Sequence, residues 1–369
     1  MRRKITFLII FIVFISFVGC KKSNPTEAEI DISTQPIKNP GWIENSITQP
    51  VPSWGSQTRL VLPAQIEQIV MGNAAGIGGF GSHQGGHIEG LDHVWLEIQT
   101  GIPVRSWSSG IVTKIENMGS ELFITIQFEG GLTGKHMEVA SSLVSVGQHI
   151  NAGDPVCYGI SNGSWQSAEF MLNDANRNDG ELAGAIGSYV SPFDYLKDDI
   201  KQELENSYFN KVIEPFLLKG LDSGNNKRIE PYLTNRVLFH KLFKNTPAGE
   251  WLLDSHWGPG GYPDILILFD VNNNYFKGKK IIAADDSGEG QYILDGNWSA
   301  DSLNHHIIFS SGSLIYYGLY QIDESTGRAK LKIEYNTSSF PVNFSPSAAV
   351  YIERTNLPRR VDASDLGVY

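Results

Sequence analysis

Along the chain the spacing of apolar residues changes several times, and each change predicts a different structure. Residues 5–18 are an almost unbroken apolar run of 14. Between residues 59 and 195 apolar and polar positions alternate in short stretches bounded by glycine, as at 94–98, 110–115 and 122–128. A period of two sends successive side chains to opposite faces, so these stretches read as half-buried strands. From 193 to 244 the spacing lengthens. Leu196, Ile200, Leu204, Tyr208, Val212 and Phe216 recur every fourth residue, which predicts a helical connector interrupted by Pro215 and Gly220. From Gly249 the strand pattern returns at 265–269, 306–309, 314–320 and 329–335. No short-period repeat is present. The pattern predicts a mainly β protein: an antiparallel sheet domain, a helical connector and a second, smaller β domain.

Composition agrees and adds a compartment. Hydrophobic residues make up 41% of 369, enough for real cores and consistent with two domains. Arg2, Arg3 and Lys4 precede the apolar run and Gly19-Cys20 follows it, the layout of a secretory signal too short to span a membrane comfortably. Phe17-Val18-Gly19-Cys20 resembles a bacterial lipoprotein cleavage box, with Phe17 where Leu is usual. The resemblance implies cleavage before Cys20, lipidation of its thiol and a protein held at a membrane in the bacterial envelope, each buried methylene contributing ~0.8 kcal/mol. The other reading of this segment is an uncleaved anchor helix. Residues 21–58, rich in Ser, Thr, Pro and Asn, read as a solvated tether. Losing residues 1–19 would take the net charge from -11 to -14, because three cations leave with them. So acidic a chain excludes nucleic acid as a partner. Beyond Cys20 only Cys157 remains, in an apolar strand-like run that reads as an inert buried thiol, and no disulfide can form within one chain.

The candidate chemistry lies between residues 86 and 169. A zinc hydrolase needs about three protein ligands and an open position for water, and imidazoles and carboxylates suit that ion. His87-Ile-Glu-Gly-Leu-Asp92 supplies one of each, Gly134-Lys135-His136 a second imidazole, and Ser167-Ala168-Glu169 a carboxylate. All sit in or beside predicted strands, and one sheet face could collect them. Each also has an ordinary reading. His87 could be an exposed imidazole in a glycine-rich turn, Asp92 a turn cap, His136 a hydrogen-bonded half-buried histidine, and Glu169 the partner of Lys135 or Arg177. His93, on the strand face opposite Asp92, reads as structural. Asp92 and Glu169 placed together without a metal would repel and share a proton.

In order and spacing, residues 85–172 resemble the lysostaphin-type (LytM) zinc endopeptidases. The matching elements are His87 to Asp92, Gly101-Ile-Pro-Val104, Ser109-Gly-Ile-Val112, His136-Met137, Val144-Ser-Val-Gly147, Ile150-Asn-Ala-Gly153, Val156-Cys-Tyr-Gly159 and Ser167-Ala-Glu169-Phe170. The resemblance implies a zinc site with His87, Asp92 and Glu169 as ligands, His136 as a catalytic imidazole, and a peptidoglycan peptide as substrate. Two departures bear on activity. His87 and Asp92 are five residues apart where the family has four, a difference a bulge at Gly90 could absorb. The family's closing His-x-His reads Ser167-Ala-Glu169 here, so one ligand is a glutamate and a proton-handling imidazole is a serine. A hydroxyl is neither a base near neutral pH nor a cation, and losing such a group costs on the order of 100-fold or more in rate. This favours a degenerate domain that binds cell-wall peptide or an envelope protein over the alternative, a divergent zinc metallopeptidase.

Other motifs carry less. Gly76-Ile-Gly78-Gly-Phe-Gly81 fits a dinucleotide pattern but leads into no helix, and 130–135 lacks the spacing and hydroxyl of a phosphate loop. Residues 173–180 have the acids and amides of a calcium loop without its closing Glu. His305-His306 has no ligand partners at metal spacing, and no Gly-x-Ser-x-Gly elbow is present. Gly249-Glu-Trp251 followed by strands rich in aromatics resembles the start of lipocalin-like barrels, which implies a closed barrel of eight or so strands, its aromatics filling the core or lining a cavity. The expected layout is a signal peptide at 1–19, tether 20–58, peptidase-like domain 59–195, connector 196–245, barrel 246–355 and tail 356–369.

Overall fold

The computed structural model describes residues 60–71, 77–78, 93–175, 189–219, 242–253, 265–271, 274–284, 291–325, 329–353 and 360–362. The signal segment, Cys20, the tether to residue 58, His87 and Asp92 lie outside the described residues, as do 176–180 of the calcium-like loop.

The protein is mainly β. Eleven strands form one antiparallel sheet: β1 (Ile77–Gly78), β2 (Val94–Gln99), β3 (Val104–Arg105), β4 (Gly110–Met118), β5 (Glu121–Phe128), β6 (Leu132–Ser142), β7 (His149–Ile150), β8 (Pro155–Gly159), β9 (Ser161–Asn162), β10 (Trp165–Asp174) and β11 (Tyr189–Val190). The main path runs β1-β2-β10-β6-β5-β4-β7, and β8 joins β3 to β6. β10 is central, pairing with β2, β6, β9 and β11. Its even-numbered residues from Gln166 to Asp174 are buried, and Trp107 stacks on Phe170 with ring centres 4.6 Å apart. Val94, Leu96 and Ile98 of β2 and Ile124 and Ile126 of β5 complete this core without exposure. Where β8 crosses β10, a Cβ on Gly159 would fall 1.6 Å from the Ser167 carbonyl oxygen, so only glycine allows the approach.

One irregularity in β6 matters for the site. Ile124 of β5 faces His136, but Leu122 faces Val139, so β6 carries one residue more than its partner. The surplus is taken up at Glu138, whose φ of 51° is left-handed and uncommon outside glycine. The bulge returns Val139 to the core face.

The described part of the helical connector is α1 (Asp198–Tyr208), a wide π turn (Phe209–Ile213) and α2 (Glu214–Lys219). The fourth-residue spacing is visible in burial: Leu204, Tyr208, Val212 and Phe216 are all buried. Pro215 does not end the helix as its chemistry predicts. It follows the π turn, where the regular ladder is already broken and its missing N–H is least costly. No described helix is long and apolar enough to cross a membrane.

A parallel pair, β12 (Leu242–Phe243) with β21 (Arg360–Val361), accompanies a closed barrel of eight strands. These are β13 (Gly249–Leu253), β14 (Ile265–Val271), β15 (Asn274–Ala284), β16 (Gln291–Asp301), β17 (His306–Ser311), β18 (Leu314–Asp323), β19 (Lys330–Asn336) and β20 (Ala349–Glu353), each antiparallel to the next and β13 closing on β20. Trp251, Phe269, Trp298 and Tyr320 are buried, whereas Tyr335 is 50% exposed, so the aromatics do not all fill the core. The guanidinium of Arg360 holds one end shut. Its Nη1 donates to the carbonyls of Phe243 and Thr246, Nη2 to that of Ala248, Nε to Glu353 Oε1 at 2.8 Å, and its plane lies 5.0 Å from the Trp251 ring centre. Glu353 also meets Nη2 at 2.7 Å. Truncation by Arg360→Ala removes the guanidinium from the nearly buried Glu353 carboxylate and from the carbonyls of Thr246 and Ala248, and should cost about 3–5 kcal/mol in urea unfolding. Arg360→Lys, lacking the planar fork, should recover little of it. A loss below about 1 kcal/mol would show that Arg360 does not hold the barrel end.

Candidate functional site

The site is built on the face of β10 turned away from the aromatic core. There the odd-numbered residues Ser167 and Glu169 stand opposite Glu97 and Trp95 of β2, and Glu169 stands opposite Met137 of β6. The Ser167 hydroxyl donates to Glu169 Oε1 at 3.1 Å. His93, just before β2, places Nε2 3.5 Å from Glu169 Oε2. Glu138 joins from the bulge and shares a hydrogen bond with Glu169. Glu97 and His93 are themselves buried, so this is an enclosed polar cluster.

Two carboxyl groups in contact inside a protein do not both ionise. Glu169 is pushed up to about 8, first by burial and then by the hydrogen bond and charge of Glu138, with a smaller push from the charge of Glu121; the Ser167 hydroxyl works the other way by donating to the anion. The sharing of a proton expected between Asp92 and Glu169 therefore has a described counterpart in a different acid, Glu138.

His136 is not on this face. It pairs in register with Phe170 and Ile124, both in the core, and its ring lies 5.2 Å from that of Phe170. Burial lowers its pKa to about 3, so it stays neutral, and its Nε2 has no hydrogen-bond partner among the described residues. The sheet thus brings Ser167 and Glu169 together and sets His136 on the far side. His93, expected to be structural, reaches Glu169, and Arg177, one of the partners expected for it, lies outside the described residues. Lys135 lies 5.6 Å over the Phe123 ring. Glu138 had no sequence signal, because strict alternation from His136 would have put it in the core and only the bulge turns it outward. Elsewhere, Cys157 is buried with its thiol pushed up to about 12, which fits an inert thiol, and Asp174 accepts a 2.8 Å hydrogen bond from Tyr195.

Among the described residues no three His, Cys, Asp or Glu side chains are arranged to hold a metal ion. Of the proposed ligands only Glu169 is described, and its two oxygens are engaged by Ser167 and His93.

No protein-family model matches the chain, and no curated protein matches it. Among solved structures it is similar to the catalytic domain of the antimicrobial peptidase lysostaphin from Staphylococcus simulans, at 22% identity over 31% of this chain and 87% of that one, with a TM-score of 0.26. Whole lysostaphin matches at 15% identity over 67% of this chain and 94% of its own, TM-score 0.29. The catalytic domain of a variant of the prophage-encoded protein EnpA from Enterococcus faecalis matches at 16% over 34% and 95%, TM-score 0.25. Scores this low transfer neither an activity nor a residue role.

Two outcomes are expected. The folded chain keeps a proton on Glu169 that the unfolded chain releases above about pH 4.5, so this group's stabilisation is complete below that pH and is lost as pH rises to about 8. Buried Glu205, pushed up to about 7, acts in the same direction. The urea midpoint should therefore fall between about pH 5 and 8, and Glu138→Gln should make the fall shallower; an unchanged slope in the variant would remove Glu138 from the cluster. His136→Phe should change stability by less than about 1.5 kcal/mol, since an apolar ring replaces a neutral one in an apolar core.

Proposed function

We propose that the protein is an exported, lipid-anchored envelope lipoprotein whose peptidase-like sheet binds cell-wall peptide, or an envelope protein presenting similar groups, without cleaving it. The observation that carries this reading is the orientation of β10 and β6. The face that would carry out hydrolysis holds Ser167, Glu169 and Glu138, while His136 faces the core. Carboxyls and a hydroxyl on a sheet face are suited to accepting hydrogen bonds from the amide and ammonium groups of a peptide. At Ser167 a hydroxyl stands where proton handling in hydrolysis would use an imidazole, and a hydroxyl is not a base near neutral pH. The anchor is the lipid on Cys20, and the acidic chain has no affinity for nucleic acid to offer.

A second reading has one observation in its favour: His93 keeps an imidazole beside Glu169. In that reading the domain is a divergent zinc peptidase acting on peptidoglycan peptides, with His87, Asp92 and Glu169 as ligands. Zinc, when bound, would supply an activated water.

Incubation with purified peptidoglycan sacculi separates the two. The binding reading expects the chain from residue 21 onward to co-sediment with sacculi, to lose that retention on Glu169→Ala, and to release no peptide detectable by mass spectrometry. Release of stem-peptide fragments, with near one zinc per chain by elemental mass spectrometry that is lost in Glu169→Ala, would replace it with the hydrolase.

A further inference from the structure

The outside of the barrel carries a strap with an exposed apex. In β17 and β18 the paired Ile307 and Gly318 are buried, so the neighbouring positions His306 and Tyr317 face outward. Residues 337–348, between β19 and β20, run across this outer face. Phe340 meets Tyr317 edge-on with ring centres 5.2 Å apart, and stacks on His306 at 3.9 Å with the planes 7° apart. The strap is pinned on both sides. Asn336 Oδ1 accepts from the amides of Ser338 and Ser339, the Ser345 amide and hydroxyl donate to Glu334 Oε2 at 3.0 and 2.6 Å, and the Lys332 ammonium stands 4.8 Å over the Phe344 ring. At the apex Val342 is 87% exposed. Because His306 opens β17, its stack with Phe340 brings the apex to the turn between β16 and β17. That turn is held by Asp301 Oδ1, which accepts from the Leu303 amide at 2.8 Å, and Leu303 is 86% exposed.

A lone exposed leucine is ordinary. Here the two most exposed large apolar side chains among the described residues come to one place on the barrel, each on a pinned support. Side chains this exposed project instead of lining a groove. Two projecting tips are too small for the roughly 1,000 Å² that a specific protein interface buries. A bilayer asks for no matching shape, takes in apolar side chains of any outline and accepts amphipathic rings at its water boundary. Phe340, Tyr317 and His306 stand behind the two tips.

We propose that the β16–β17 turn and the apex of the strap dip into a lipid bilayer, Leu303 and Val342 entering the boundary between headgroups and acyl chains. The proposal rests on the lipid anchor at Cys20 for one thing, the nearness of a membrane. As a flexible tether, residues 21–58 span about 35 Å, which keeps the body close to the lipid but leaves it free to turn. The second contact fixes which side of the barrel meets the membrane. It draws on burial of apolar surface and not on charge, which suits a chain of net charge -11.

The test couples the chain from residue 20 onward, through the Cys20 thiol, either to a maleimide-headgroup lipid in phosphatidylcholine vesicles or to a soluble maleimide; Cys157 is buried and does not compete. The anchor is then supplied chemically, so the result stands whether or not the cell lipidates Cys20, which palmitate labelling reads separately. Hydrogen exchange followed by mass spectrometry should slow at least about fivefold in 302–305 and 340–343 on the vesicles, and should stay slow in about 0.5 M salt because no ion pair is involved. Residues 311–315, at the other end of β17, where Leu314 is 54% exposed, should exchange equally in both forms. Leu303→Ser combined with Val342→Ser should abolish the slowing while exchange within β17 stays unchanged, which shows the barrel still folded. Four results overturn the proposal: no slowing on vesicles, equal slowing at 311–315, slowing that survives the double substitution, or the same slowing in the soluble form as its concentration rises, which would make the partner a second copy of the chain.

Discussion

The two-residue repeat of β10 is the constraint on which the sheet and its candidate site both depend. Because successive side chains alternate, burying Phe170 under Trp107 obliges Glu169 to face the other way, and burying Ala168 and Gln166 does the same for Ser167. A slip of one residue would put Glu169 in the aromatic core and Phe170 in the polar cluster. Both faces oppose that slip, and pairing with four strands leaves β10 no free edge along which to make it. Packing therefore positions the chemistry: the apolar face holds the register, and the register aims the carboxylate.

The bulge at Glu138 is the second decision. It spends an unfavourable left-handed backbone on a residue that could otherwise have continued the strand, and the gain is twofold. Val139 regains the core, and a second acid reaches Glu169. Buried Glu169, half-buried Glu138 and a nearby imidazole form a cluster whose proton count is set by mutual repulsion and burial, more than by any one residue's own chemistry. A proton held among such groups lets a carboxyl donate as well as accept hydrogen bonds.

In the barrel the limiting interaction is different. Eight strands close on themselves and leave no edge, but closure alone does not seal the ends. Arg360 seals one of them because a planar guanidinium can satisfy three carbonyls and a carboxylate while stacking on Trp251. Toward the other end Tyr335 is half-exposed.

Much of this was legible in the chain. The period-two stretches became β2, β4 and β5, the fourth-residue spacing became the buried stripe of α1 and α2, and Gly249-Glu-Trp251 became the first barrel strand. Alternation and helical spacing report which side of an element is apolar, and that is a local property. The grouping of the site was not local. His136 lies one residue from Met137, which stands beside Glu169, yet it faces the core, because which parity of β6 points inward is settled by Phe170 and Ile124 across the ladder. Glu138 and His93 reach Glu169 through a bulge and a strand entry that leave no mark in composition or spacing. By itself the sequence determined the elements and which residues could do chemistry. Only the tertiary structure decided which of them share a face, because strand register is fixed by the packing of residues far apart in the chain.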